Sequence, residues 1–352
     1  MGADVRQTTG AALAAMMLAF GLFAHAQAGP LEDGQAAYGR RDYATALRLL
    51  KPLAEQGIPA AEQTLGAMYF KGEGVDQDST QGVAWTRKAF AQGDPKAREM
   101  LAAMCVLGQG GPEDCAPAFA ATRQRAEQGD AKAQMVVASL YLVGRGGVAK
   151  DPVQGAAWMR KAADQNNVMA QILLASYYEI GIGVARDPAQ ARALYRKAAD
   201  AGNSIAQEAL GMRYALGIGV EKDDAQAVLW YTKAAKQGVE TSQSSLAKMY
   251  EDGTGVAADP AQAFYWYRKA AEQGDADAAA KIGSAYALGK GVARDYAQAY
   301  VWLDVAIAGS TSASGLDDTI LARDSMAAHL GSSQLVEAKR QAADWKAKAA
   351  TP

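Results

Sequence analysis

Apolar residues return along this chain at helical spacing in two alternating stripes, and a clear copy of the pattern runs from Ala206 to Gly238. Ala206, Leu210, Gly211 and Tyr214 share one helix face, with small residues where a neighbouring helix must come close. Gly217-Ile218-Gly219-Val220 then breaks the helix, its glycines permitting positive φ and its valine giving the loop an apolar anchor. Asp223 suits an N-cap, and Gln226 completes a capping-box-like pair. Ala227, Trp230, Ala234 and Ala235 form the stripe of a second helix that Gly238 ends. The stretch predicts a helical hairpin.

This hairpin recurs. Its capping aspartate appears as Asp42, Asp78, Asp114, Asp151, Asp187, Asp223, Asp259 and Asp295, each 36 residues after the last except for a step of 37 into Asp151. Proline follows it at Pro152, Pro188 and Pro260, the first helical position, where a missing N–H costs nothing. A fixed period of this length marks stacked units. The Leu-Gly-x-x-Tyr, Gly-x-Gly-Val, Asp-x-x-x-Ala and Trp-x-x-x-Ala-Ala elements resemble the Sel-one-like repeat, a relative of the tetratricopeptide repeat. The resemblance covers roughly residues 31–310. It implies an all-α fold, a right-handed α/α superhelix of about eight hairpins, acting as a protein-interaction scaffold.

Four segments follow: a secretory signal over 1–28, a shortened capping repeat over 29–57, seven repeats over 58–309 and a helical cap over 310–352. In the short repeat, Pro52 sits inside the second helix, where it should kink the rod or delay the helix start. The repeat ending at Gly129 is the most deviant, with Cys105 in place of the tyrosine and Ala121 in place of the tryptophan. The next carries an extra loop residue in Gly144-Arg145-Gly146-Gly147-Val148. After Gly309 the period stops, and two helical stretches around Leu321–Leu330 and Gln334–Trp345 should cover the open end of the last hairpin.

Composition changes this picture little. Half the residues are apolar, and 36 basic against 38 acidic residues leave no basic face for nucleic acid. The apolar run Ala11–Ala24, ending in Ala24-His25-Ala26-Gln27-Ala28, reads as an export signal cleaved after Ala26 or Ala28. Fourteen residues are too few to span a bilayer, which takes about 20. The expected location is therefore periplasmic or secreted, with no membrane insertion of the mature chain.

Candidate chemistry is sparse. Cys105 and Cys115 are the only cysteines. By analogy with neighbouring units they end the first helix and begin the second, directly after the cap Asp114, within reach of a disulfide that export would favour; two buried thiols are the alternative. The aspartate column reads as caps, and the tryptophans and tyrosines as core. Gly283 to Gly291 is one residue too long for a phosphate loop and lacks its Ser/Thr. Ser245-Leu246-Ala247-Lys248 matches Ser-x-x-Lys, the alternative being an envelope serine enzyme of penicillin-binding or β-lactamase type, but no Ser-Asp-Asn or Lys-Thr-Gly accompanies it. A peptidoglycan binder is a further alternative. His25 and His329 alone supply neither a triad nor a metal site, so no cofactor, metal or catalytic group is expected.

In tetratricopeptide-type arrays the first helix of each pair lines the concave groove. Carried over by the Leu-Gly-x-x-Tyr register, the resemblance places Met135, Met169, Ile172, Ile205 and Met212 on that face, with Glu179 and Glu208 among them. Later repeats present Thr241, Ser244, Lys248 and Glu251. The expectation is a methionine-rich apolar strip flanked by carboxylates that holds a segment of a protein partner, the alternative being that these side chains fill the packing between adjacent first helices.

Overall fold

The computed structural model describes residues 29–310 and 315–349. The export signal expected over 1–28 lies outside the described residues. The chain forms two compact units, the first ending at Asp151 and the second beginning at Pro152, in the loop that carries the extra residue.

Every described regular element is an α-helix. In the first unit α1 (Pro30–Gly39) pairs with α2 (Tyr43–Glu55), α3 (Pro59–Lys71) with α4 (Ser79–Ala91), and α5 (Pro95–Val106) with α6 (Pro112–Glu127); α7 (Ala131–Val143) packs on α6. The second unit opens with α8 (Pro152–Asp164), which packs on α9 (Val168–Ile180). There α9 pairs with α10 (Pro188–Asp200), α11 (Ser204–Leu216) with α12 (Asp224–Lys236), α13 (Glu240–Asp252) with α14 (Pro260–Ala271), and α15 (Ala276–Leu288) with α16 (Tyr296–Gly309). Helices α17 (Leu316–Ala327) and α18 (Ser332–Ala349) both pack on α16, where Tyr300 and Val301 meet Ala338 and Ala342.

The loop motif works through two glycines with different duties. The first closes the preceding helix in the left-handed region, as Gly289 does at φ 70°, satisfying a carbonyl of the last turn. The second also has positive φ but in addition presses on the preceding hairpin: a Cβ on Gly291 would stand 2.0 Å from the Pro260 carbonyl oxygen. One bond then closes each loop. The N–H of Asp78, Asp151, Asp187, Asp223, Asp259 and Asp295 donates to the carbonyl of Tyr69, Tyr141, Tyr178, Tyr214, Tyr250 and Tyr286 at 2.8–3.0 Å. Because Tyr141 and Asp151 keep that bond, the inserted residue is absorbed inside the loop.

The aspartates at 42, 78, 187, 223, 259 and 295 cap their helices by accepting backbone N–H bonds. Asp114 does not. Gly111 is the N-cap of α6, Pro112 opens the helix, and Asp114 lies in the first turn, its side chain accepting from Gly111 N at 3.2 Å and from Arg87 Nη2 at 2.8 Å. With a proline three residues earlier than in the other repeats, the helix starts early and draws the aspartate inside. Pro52 also departs from expectation: α2 starts on schedule after Asp42 and runs through it. It sits exposed in the last turn, forgoing one bond to the Arg48 carbonyl where water can replace it.

About half of the buried apolar residues of each unit are alanines, with several larger side chains in each hairpin. Trp158, Trp230, Trp266 and Trp302 are buried, whereas Trp85 is half-buried under the Lys88 ammonium, 3.8 Å from its ring centre. Buried amides join successive hairpins. Gln207 Nε2 donates to the Ala199 carbonyl at 3.1 Å, and Gln237 Nε2 donates to Gln207 Oε1 at 2.7 Å; Gln243 and Gln273 repeat the arrangement one step on. A satisfied buried amide fixes the register of one hairpin on the next, where sliding alanine surfaces would not.

Candidate partner-binding face

The first helices of the second unit, α9, α11, α13 and α15, stand at one register, so residues 36 apart fall at equivalent positions. Met169 and Ile205 open that face and Met212 continues it. They are 46 %, 52 % and 41 % exposed, well above what side chains filling a core would show. Ile180 and Leu216 close the same face at 69 % and 65 % exposed, eleven residues or about three helical turns on from Met169 and Ile205. The sequence reading missed them because they adjoin the loop glycines, although their spacing carried the signal.

The remaining expected residues have other surroundings. Ile172 is a correction: it is buried, packed with Ala175, Tyr195 and Leu210 in the core rather than presented to a partner. Met135, in the first unit, is half-buried, and its carbonyl accepts from Ser139 Oγ at 3.0 Å. Glu208 accepts from Thr241 Oγ1, joining α11 to α13. Glu179 is bound by the guanidinium of Arg213, which also donates to the Ala209 carbonyl at 2.7 Å and stacks 3.9 Å from the Tyr195 ring centre. Tyr195 Oη completes the cluster at 3.3 Å from Glu179, and burial pushes its phenol up. Glu179 therefore fastens α9, α10 and α11 together rather than waiting for a partner.

Arg213 was also missed, yet the sequence marks it. At the equivalent position other repeats carry Met68, Met104, Leu140, Tyr177, Met249 and Ala285, so an arginine there stands in an otherwise apolar column.

The Ser-x-x-Lys match has no chemistry in its geometry. Ser245 Oγ donates to the Thr241 carbonyl at 2.8 Å, and Lys248 pairs with Asp252 at 3.0 Å. That hydrogen bond raises the Lys248 pKa, the wrong direction for a lysine that must lose its proton to activate a serine. Among the described residues, no cluster of three His, Cys, Asp or Glu could hold a metal ion, and no helix is long and apolar enough to cross a membrane.

Cys105 and Cys115 are joined in a disulfide across the α5–α6 loop, with Cα atoms 5.6 Å apart. Their positions differ slightly from expectation: Cys105 lies in the last turn of α5, and Cys115 is the fourth residue of α6 rather than its first.

Helical hairpins stacked at a fixed period define a helical-repeat protein. The Sel1 repeat model matches residues 12–58, 59–94, 131–167, 168–203, 204–239, 241–275 and 276–309, and the chain belongs to that family. The span 95–130, which holds the disulfide, is passed over. The chain is similar to a Sel1 repeat protein from Oxalobacter formigenes, at 30 % identity, covering 82 % of this chain and 86 % of that one with a TM-score of 0.57. It is also similar to a protective antigen of uropathogenic Escherichia coli displaying an SLR fold, at 29 % identity over 88 % and 80 % of the two chains, with a TM-score of 0.43. No curated protein matches. Proteins of the Sel1 repeat family are generally non-enzymatic scaffolds for protein interaction.

Proposed function

We propose that this protein is a non-enzymatic scaffold of the cell envelope that holds a segment of a protein partner against the α9–α11 face. The observation that carries the reading is the exposure of Met169 and Ile205 at matched register, with Met212, Ile180 and Leu216 extending the strip. Flexible thioethers beside branched aliphatic side chains suit a surface that adapts to an apolar segment. Export rests on the signal pattern before residue 29, and the disulfide fits an oxidising compartment. Cleavage after Ala26 or Ala28 is expected in the intact mass of protein recovered from the periplasm or medium.

Crosslinking in the native envelope, followed by mass spectrometry, should recover a protein partner through α9 and α11. Met169→Glu combined with Met212→Glu should lower its yield about tenfold while far-ultraviolet circular dichroism stays unchanged. Undiminished capture by that variant would remove the face from the function. A fluorescent β-lactam should leave the protein unlabelled, and a covalent adduct at Ser245 would replace the scaffold reading with the serine-enzyme one.

A further inference from the structure

Two hollows meet on the last repeats of the second unit, away from the strip just described. The larger, about 640 Å³, lies between α14 and α15 with Phe264, Ala263, Ala285 and Leu288 in its walls. The smaller, about 280 Å³, lies between α13 and α15 and is lined by Ser244, Lys248 and Asp275 among others. They share Tyr267, Asp277 and Lys281, so together they make one trough along α15.

The charges along this trough are unevenly placed. Lys281 is taken by Glu251 at 3.0 Å, a carboxylate that Tyr267 Oη also reaches at 2.8 Å, and Lys248 is taken by Asp252 at 3.0 Å. Asp277 is exposed, and no described residue pairs with it. Beside it, Asp275 accepts from Ser244 Oγ and, as the cap of α15, from the Ala278 N–H at 2.9 Å. Close by, burial, Asp275 and Glu208 all push the Glu240 carboxyl up. Lys290 lines the opposite end of the larger hollow, one length of α15 or about 18 Å away. The trough thus runs from the exposed, unpaired carboxylate of Asp277, over an apolar cleft, toward a lysine.

We propose that this trough binds an extended segment of a protein partner in which a lysine or arginine lies three or four residues from a large apolar side chain. The cation meets Asp277 and Asp275, and the apolar group enters the cleft against Phe264, Ala285 and Leu288. The spacing follows from the helix: Asp277 and Ala285 are eight residues apart, about 12 Å along the axis, which an extended chain covers in three or four residues. This rests on the scaffold reading but places a second contact on different helices and gives the partner's chemistry.

The test is fluorescence anisotropy of the full mature chain with a dye-labelled glycine–serine peptide carrying two lysines and, four positions on, phenylalanine and leucine. It should bind about tenfold tighter than the same peptide with glutamate for lysine, or with serine for the apolar pair. Added salt should weaken it several-fold, since the acidic residues are exposed. Asp277→Lys should weaken it about tenfold, and so should Ala285→Trp, which fills the cleft. Circular dichroism confirms that each variant is folded, and either variant alone suffices if the other is not. Met169→Glu with Met212→Glu should leave this peptide's binding intact. Equal binding across the three peptides, or no effect of either trough variant, overturns the inference. Weakening by the methionine variant alone would place the peptide on α9–α11 and sink this inference while sparing the scaffold. Unchanged crosslinking of the native partner by that methionine variant would instead count against the scaffold face alone.

Discussion

Arg213 shows how one residue can be out of pattern and still fit. It is 4 % exposed in a column its neighbours fill with methionine, leucine or tyrosine, and Glu179 accompanies it. Desolvating both charges offsets most of their attraction, so replacing the two together by apolar side chains should cost little. Arg213→Met combined with Glu179→Leu is therefore expected to shift the urea midpoint only slightly. Glu179→Ala, which leaves the guanidinium buried without its carboxylate, should cost about 2 kcal/mol, below the value for a fully buried pair because Glu179 is partly exposed. Equal losses in the two variants would show that the pair itself is stabilising. Glu240 gives the pH dependence. Its carboxyl is raised in the folded state, mainly by burial, so the fold binds its proton more tightly than the unfolded chain does. Stability is then lost as pH rises from the ordinary glutamate range through the raised value, and stays lost above it. Glu240→Gln should be more stable than the parent at neutral pH by a few tenths of a kcal/mol, given the exposure of the group, with the gain vanishing below about pH 4. Urea midpoints across that range read it directly.

At the scale of the element, the hairpin is specified by short-range chemistry repeated at fixed intervals. The second-helix caps stood out because aspartate recurs there unchanged. The first-helix caps escaped notice because Asp94, Asp130, Asn167, Asn203 and Asp275 alternate two residue types and give way to Ile58 and Val239 at other repeats. Both residue types accept the same backbone N–H, so the physical column is more regular than its letters. The two loop glycines look alike in sequence, and the structure separates them. Gly289→Ala should cost about 1–2 kcal/mol, the ordinary penalty of a left-handed residue, since its Cβ meets nothing nearer than 3.5 Å. Gly291→Ala adds a collision with the Pro260 carbonyl and should cost upwards of about 3 kcal/mol. Thermal denaturation of the two variants compares them, and equal losses would mean that the close approach is relieved by a small shift. Asp114 and Pro52 teach the converse: proline position decided where α6 starts, and an exposed last turn let α2 run through its proline.

For the molecule as a whole, contacts within each unit run between sequence neighbours, so a perturbation should stay close to where it is made. Reducing the Cys105–Cys115 bond should cost at most about 3 kcal/mol on the chain-entropy model. Hydrogen exchange should rise in α5 and α6 and remain unchanged in α13–α15; acceleration throughout both units would contradict this local coupling. Period, hairpin, capping chemistry, loop glycines and the family resemblance were all legible in the residues, because each depends on neighbours within one turn or one loop. The exposure of Met169, Ile205 and Met212 matched a register carried over from related repeats, while Ile172 did not. Whether a side chain on a first helix meets solvent or the next hairpin depends on how two helices from different repeats approach, and a one-residue change of facing decides it. The engagement of Glu179 by Arg213, 34 residues away, and the hollows along α15 arise from the same cause. Local patterning determined what each hairpin is; packing between hairpins decided which of its side chains are left for a partner, because burial belongs to the assembled surface and no single repeat contains it.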